Sequence, residues 1–415
     1  MNDLDILKLL STKENWDRFS PYIKPEYFTR EGQVIYADYA KWYDKNPMMY
    51  WGRFCHMFRM MWHSDFDAEK LEVFNDLLER IDEHDLDDDF KDTILKGLIE
   101  RDYAHKILDI SMNVAEGNGR SDMEDVINLV ADMENEVKHR ADIEDYIVTS
   151  DIEAVLSDST DNDGYSWRMK CLNKALGPLC KGNLVVVSSR PDGGKTTFLA
   201  SETSNMIDQM DGKKILWVNN EQGGMLVKSR VIQSYVGCTT DELKKDKVAI
   251  SMQYLAGVDH DDKIIMMDKP DVRVSDVELF LRRNGDDIGL IVFDTLSKVH
   301  GFEKKSGGQT YKREQMVYQW ARELAKMYAP VISVHQAGHD AEGVKWITMD
   351  MLHESKTGVQ GEADAIITIG QEPGNTGEDR FIFVPKNKMY GEDPSVRNGR
   401  FNVAIKKDIA RFEDK

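Results

Sequence analysis

Cysteine is scarce in this chain. Of 415 residues only Cys55, Cys171, Cys180 and Cys238 carry thiols, and no two form a C-x-x-C pair. Such spacing offers neither a disulfide framework nor a zinc module, and the four are expected to be reduced packing residues of a cytoplasmic protein. Long apolar runs are missing as well: nothing approaches the ~18 residues a membrane span requires. The opening Met1-Asn-Asp-Leu-Asp5 lacks the basic stretch of a secretory leader. Positive charge is the third deficit. Lys and Arg total 54 against 74 Asp and Glu, a formal net charge of −20, which disfavours a protein that coats nucleic acid over its whole surface. A locally basic channel survives that argument, because the acid is unevenly spread. Between Ser121 and Gly164 stand 14 acidic residues against Lys138 and Arg140.

What is present is a globular balance, 41% hydrophobic and 31% charged, in a chain long enough for two or three cores. Residues 1 to about 115 show helical spacing, as in Leu71-Val73-Phe74-Leu77-Leu78-Ile81, with Pro21, Pro25 and Pro47 dividing the early part into short helices. The acidic run Asp85–Asp89 reads as a loop or a helix start. A further helical piece is expected over Met123–Val137. The organisation expected is therefore a helical domain over 1–140, an acidic linker over 141–164 and a second domain over 165–415. In the second domain, apolar runs at Leu184–Val187, Ile215–Val218, Ile264–Met267, Gly289–Phe293, Val331–Val334, Ala365–Ile369, Phe381–Val384 and Phe401–Ala404 alternate with helical segments. That alternation implies an α/β fold, a mostly parallel sheet covered by helices on both faces.

The chemistry begins at Ser189-Arg-Pro-Asp-Gly-Gly-Lys-Thr-Thr197. A buried strand, a Gly-rich turn and a helix start gather backbone N–H groups around a phosphate chain. In that turn Arg190, Pro191, Asp192, Gly193, Gly194, Lys195, Thr196 and Thr197 are the candidate nucleotide-binding residues. Lys195 is placed to reach the β/γ-phosphates of ATP and the Thr196 hydroxyl to ligate Mg²⁺. The pattern G-x-x-x-x-G-K-[ST] fails at its first position, where Ser189 replaces Gly. Two more strand ends carry carboxylates. Asp294 closes Ile288–Phe293 and is the second candidate Mg²⁺ ligand; alone it would read as a turn residue. Glu221, after Ile215-Leu-Trp-Val-Asn-Asn, is the candidate activator of a water molecule. Gln336, after Val331-Ile-Ser-Val-His, is placed to sense a γ-phosphate.

The order and spacing of these motifs resemble the DnaB-type replicative DNA helicases, whose hexameric motor is RecA-like. Ser188–Phe198 is similar to that family's phosphate loop, and Trp217–Glu221 falls where the family has its catalytic Glu. Ile265–Pro270 with Val274–Leu279, Leu352–Ser355, Gly361–Ile367, Lys386–Gly391 and Ala410–Glu413 follow in the family's order, with weaker similarity at Ile23–Phe28 and Tyr103–Leu108. The resemblance implies a RecA-like phosphate-loop ATPase domain preceded by an all-α domain. It also implies ATP and Mg²⁺ as cofactors, single-stranded DNA as the track, 5′ to 3′ movement, a hexameric ring, and docking of primase and a helicase loader on the helical domain. A phage-encoded member is the reading that the compact sequence suggests, which would put it in a host's cytoplasm.

One departure stands out. Where the family reaches into a neighbour's ATP site with Lys-x-Arg, this chain has Lys386-Asn-Lys388, and an ammonium lacks the planar fork of a guanidinium. Candidate strand-contacting residues are Lys304 and Lys305 in one Gly-containing loop and Lys345 in another. A RecA-type recombination ATPase, or a nucleotide-hydrolysing protein of the same core that does not unwind, is the competing reading.

Overall fold

The computed structural model describes residues 3–45, 51–58, 63, 66–84, 86, 88–117, 122–123, 125–127, 129–130, 132–133, 164–303, 306, 309–352, 358–374, 377–389 and 391–415. Lys304, Lys305, the expected linker before Gly164 and the stretch 353–355 lie outside the described residues. By its contacts the chain divides into two units, Met1–Val148 and Thr149–Lys415. No helix among the described residues is long and apolar enough to cross a membrane.

The first unit is helical: α1 (Asp3–Leu9), α2 (Lys13–Phe19), α3 (Arg30–Lys45), α4 (Trp51–Met57), α5 (Ala68–Glu83) and α6 (Asp88–Ala115). Of the acidic run 85–89, Asp88 and Asp89 begin α6, while Asp85 and Asp87 lie outside the described residues. Thr12 and Asp67 cap α2 and α5, accepting from the N–H groups of Asn15 and Lys70 at 3.3 and 2.8 Å. Ile35, Tyr39 and Tyr43 recur every four residues along α3 and are buried together. The Tyr39 ring meets Trp16, Trp51 and Phe54 edge-on, each at 4.9 Å. Ring packing of this kind fills the core with few side-chain rotors.

The second unit is a nine-stranded sheet flanked by helices. Its strands are β1 (Leu184–Ser189), β2 (Lys214–Asn219), β3 (Ile264–Asp268), β4 (Ile288–Asp294), β5 (Val331–Gln336), β6 (Ala365–Gly370), β7 (Asp379–Asn387), β8 (Arg400–Lys406) and β9 (Arg411–Asp414). Their order is β3-β2-β4-β5-β1-β6-β7-β8-β9. The first six in that order run parallel, and β7, β8 and β9 add an antiparallel extension. This is the mostly parallel α/β arrangement that the alternating runs imply.

The central strands are apolar on both faces, as parallel strands covered by helices must be. Val185, Val187, Ile215, Trp217, Leu290 and Val292 pack on one side with Phe198, Val227 and Phe412. Their neighbours Leu184, Val186, Leu216, Val218, Ile291 and Phe293 pack on the other with Leu281, Val317 and Leu324. The period of two along each strand sorts the residues between these two cores. At the amino-terminal edge, Asp364 accepts from the Leu184 N–H at 2.9 Å and from both terminal nitrogens of Arg322. That fork fixes where β1 and β6 begin.

The helix Lys195–Met206 is unusual in burying polar residues. Glu202 is fully buried and accepts from the backbone N–H of Arg168 at 2.7 Å and of Met169 at 3.4 Å. Burial pushes its carboxyl up to about 7, against the pull of those donors. A raised carboxyl pKa adds stability in full below the unfolded value near 4.5 and loses it as pH rises through about 7. Glu202→Gln keeps an acceptor and discards the charge. It should therefore flatten the pH dependence of urea stability of the second unit and add ~1–3 kcal/mol near pH 8. Parallel stability curves for parent and variant across that range would refute this.

Candidate phosphate-binding and catalytic site

β1 is buried along its whole length and delivers the chain at its carboxyl end into the turn Arg190–Gly194. Two positions of that turn lie in the left-handed region, Asp192 at φ 59° and Gly194 at φ 103°. A Cβ on Gly194 would lie 2.8 Å from Ile405 Cδ1 and 3.2 Å from the Phe412 ring, so only glycine fits both the backbone and the space. Gly194 is also the N-cap of Lys195–Met206. The helix's first N–H groups, which have no partners within the helix, therefore belong to the turn.

The Lys195 ammonium is held inside the turn. Its Nζ lies 3.3 Å from Ser189 O, 3.4 Å from Ser189 Oγ and 3.3 Å from Arg190 O. Ser189, the residue in place of the usual first Gly, thus supplies a hydroxyl to the lysine and donates it to Arg190 O at 2.8 Å. Burial lowers the Lys195 pKa, opposed by the charges of Glu221, Asp294 and Asp192.

The carboxyl end of β4 brings Asp294 to the same place. Its side chain is buried, and its Oδ2 accepts from Thr196 Oγ1 at 2.9 Å. Burial raises the Asp294 carboxyl to about 6, the Glu221 charge adds to the rise, and the Thr196 bond and Lys195 pull it back. The end of β2 is clamped on both sides. Asn219 Nδ2 donates to Asp268 Oδ1 at 2.6 Å, and Asn220 exchanges hydrogen bonds with the Thr295 backbone at 3.0 and 2.7 Å. Glu221 follows this clamp, its Oε2 accepting from Thr295 Oγ1 at 2.8 Å.

These elements enclose a cleft of about 420 Å³. The turn contributes Pro191, Asp192, Gly194, Lys195, Thr196 and Thr197, and the strand ends contribute Glu221 and Asp294. Four further lining residues escaped the sequence reading: Gln222, Arg230, Ile405 and Lys407. Arg230 donates to Gln222 Oε1 at 2.8 Å. Ile405 lies in β8 and Lys407 in the turn between β8 and β9, and no local motif marks them; the doublet Lys406-Lys407 is the only hint.

Other candidates stand elsewhere. The Arg190 guanidinium turns to Glu342 Oε2 at 2.8 Å and Ala337 O at 3.0 Å, outside the cleft lining. Gln336 is exposed and pairs in register with Ser189, at the same edge but not among the lining residues. Lys386 and Lys388 are at the opposite edge. Ala365, the first residue of β6, pairs with Asn387, while the turn follows the last residue of β1. Parallel strands of six residues separate those edges by roughly 20 Å. There Lys386 Nζ donates to Gln360 O, and Lys388 is exposed. Lys345 lies 3.4 Å from Glu372 and 4.2 Å from the centre of the Phe381 ring.

The residues present suit a magnesium nucleotide. The start of the helix after Gly194 offers backbone N–H groups to an anion, Lys195 supplies a cation, and Thr196 and Asp294 offer the hard oxygen ligands that Mg²⁺ prefers.

The DnaB-like helicase C-terminal domain family matches residues 164–414. The replicative DNA helicase DnaB of Treponema pallidum (strain Nichols) is 21% identical over 247 residues, 58% of this chain and 55% of that protein. The match thus spans about half the length of that relative. A solved DnaB-like replicative helicase, described with its interactions with primase, covers the whole chain and 99% of its own at 15% identity and a TM-score of 0.60. A solved ATPase domain covers 65% of this chain and all of its own at 16% identity and a TM-score of 0.50. At such identities the two structures speak to the fold, which is RecA-like.

Gly194→Ala tests the turn. With a Cβ in contact at 2.8 Å and a left-handed backbone, it should cost ~1–3 kcal/mol in urea stability and at least ~10-fold in affinity for a fluorescent ATP analogue. Binding at parental affinity would show that the turn does not need glycine there.

Proposed function

The chain belongs to the DnaB-like helicase C-terminal domain family, and we propose that it is an ATP-hydrolysing replicative DNA helicase. In this reading it forms a ring, most simply a hexamer, and moves 5′ to 3′ on single-stranded DNA to open a fork. One observation carries the proposal: Lys195, Thr196, Glu221 and Asp294, from three separate segments, line one cleft at the carboxyl edge of a parallel sheet, where open α/β sheets bind their ligands.

The roles follow from the chemistry of each group. The Lys195 ammonium leaves its carbonyl partners for the β/γ-phosphates, and the helix N–H groups cradle the rest of the chain of phosphates. Thr196 and Asp294 hold Mg²⁺, which when bound neutralises phosphate charge. Glu221 accepts a proton from the attacking water, and Gln336 senses whether a γ-phosphate is present. Arg230 and Lys407 add positive charge at the cleft. Lys386 and Lys388 face away from their own chain's turn, which supports their serving the site of a neighbouring subunit in a ring. Single-stranded DNA is bound through loops bearing Lys304, Lys305 and Lys345; Lys345 would exchange Glu372 for a phosphate. The helical unit is the docking surface for primase and a loader. The helical unit favours this reading over a RecA-type recombination ATPase.

Four outcomes are expected. Lys195→Ala should lose nucleotide binding or turnover. Glu221→Gln should bind ATP nearly as the parent does while hydrolysis falls by about 10²-fold or more. On a 5′-tailed fork the parent should displace the strand with ATP, whereas DNA-stimulated hydrolysis without displacement would favour the recombination-type reading. Mixed rings of Lys195→Ala and Lys388→Ala chains should hydrolyse ATP faster than either alone. Mixed rings that never exceed the separate variants would remove Lys388 from the shared site.

A further inference from the structure

Glu221 is already engaged by its neighbours. Besides accepting from Thr295 Oγ1 at 2.8 Å, its Oε2 lies 3.6 Å from Lys298 Nζ. A donated hydrogen bond and a nearby ammonium both draw a carboxylate oxygen toward themselves, so both aim it at the donor instead of at a water in the cleft. The local fold does not call for either side chain. Asn220 already fixes the Thr295 backbone, and the Lys298 side chain is half exposed.

The contacts continue beyond Lys298. Arg313 donates to Ser297 O at 3.0 Å and to Val299 O at 2.9 Å, gripping the peptide on either side of Lys298. Its Nε lies 3.4 Å from Glu303 Oε1. The Glu303 carboxylate also lies 3.0 Å from His300 Nδ1 and accepts from the Gly301 N–H at 2.8 Å. Polar contacts at either end, linked through the backbone that carries Lys298, therefore join Glu303, beyond the end of β4, to Glu221 in the cleft. Its charged members are partly exposed, and such pairs exchange readily with phosphate oxygens.

We propose that Thr295 and Lys298 restrain Glu221 in the resting chain, and that a phosphodiester strand bound at this segment relieves the restraint. The inference rests on the reading of Glu221 as the group that activates water. A strand phosphate competes with Glu221 for Lys298 and with Glu303 for Arg313. Once Lys298 turns to the strand, Glu221 keeps a single donor and its free oxygen can turn to a water in the cleft. Hydrolysis is thereby slow without a track and faster on one. Thr295 and Lys298 are positioning residues that act through Glu221.

The test is steady-state ATP hydrolysis by the full chain, with and without a single-stranded oligonucleotide, together with affinity for a fluorescent ATP analogue. Lys298→Met and Thr295→Val should each raise strand-free kcat by ~3–10-fold, leave KM and nucleotide affinity within about 2-fold, and shrink the stimulation by the strand in proportion. Thr295→Ser, which keeps the hydroxyl, should restore the parental ratio. Lys298→Met alters an exposed side chain, so it reports even where Thr295→Val folds poorly. Strand-free kcat that is unchanged or lower in Lys298→Met, with Glu221→Gln inactive, overturns the restraint while leaving the role of Glu221 intact. Parental turnover by Glu221→Gln overturns that role itself, and the restraint with it.

Discussion

Removing a carboxylate from water costs several kcal/mol unless cations or donors compensate. Asp294 is such a group, buried at the end of a fully buried strand with the Thr196 hydroxyl as its hydrogen-bond donor. Much of the second unit is arranged around it. The Thr196 hydroxyl sits on the first turn of the helix that follows the turn, so the helix must start where β4 ends. Lys195 contributes a second charge from the same helical turn. The Asp294 carboxyl nevertheless stays raised to about 6, chiefly because it is buried, with the Glu221 charge adding to the rise. A divalent cation is the compensation these ligands suit.

The same sheet that gathers the cleft also separates it from Lys386 and Lys388. Parallel strands put their carboxyl ends together, and the antiparallel return of β7 carries its own end to the other edge. No rotamer of a lysine spans a strand length. Under the proposed reading, the site is finished only by a second chain, and the spacing of the two edges is what obliges the protein to assemble. Inside one chain, the polar contacts and backbone between Glu303 and Glu221 give the cleft a route to the segment beyond β4.

The strands were legible because buried parallel strands are written as unbroken β-branched runs, and all eight runs form strands, with Arg411–Asp414 closing the sheet. The family was legible for a similar reason: phosphate-binding backbones demand fixed residue types at fixed spacing. Side-chain direction was not. Nothing in Arg190-Pro191-Asp192 tells that the arginine turns to Glu342, and Ile405 and Lys407 reach the cleft only because β8 and β9 extend the sheet past β7. Thr295 and Lys298 carried no motif, since their significance lies in a hydrogen bond to a carboxylate on another strand. Glu202 carries no motif either, and only the Arg168 and Met169 N–H groups packed against it reveal a buried acid.

The central claim is that hydrolysis needs two chains whereas nucleotide binding needs one. Its most direct test is ATP turnover per chain measured across a dilution series, alongside mass by analytical ultracentrifugation and binding of a fluorescent ATP analogue. The account predicts that turnover per chain collapses as assemblies dissociate while binding persists. Turnover per chain that stays constant in demonstrably monomeric protein would contradict it.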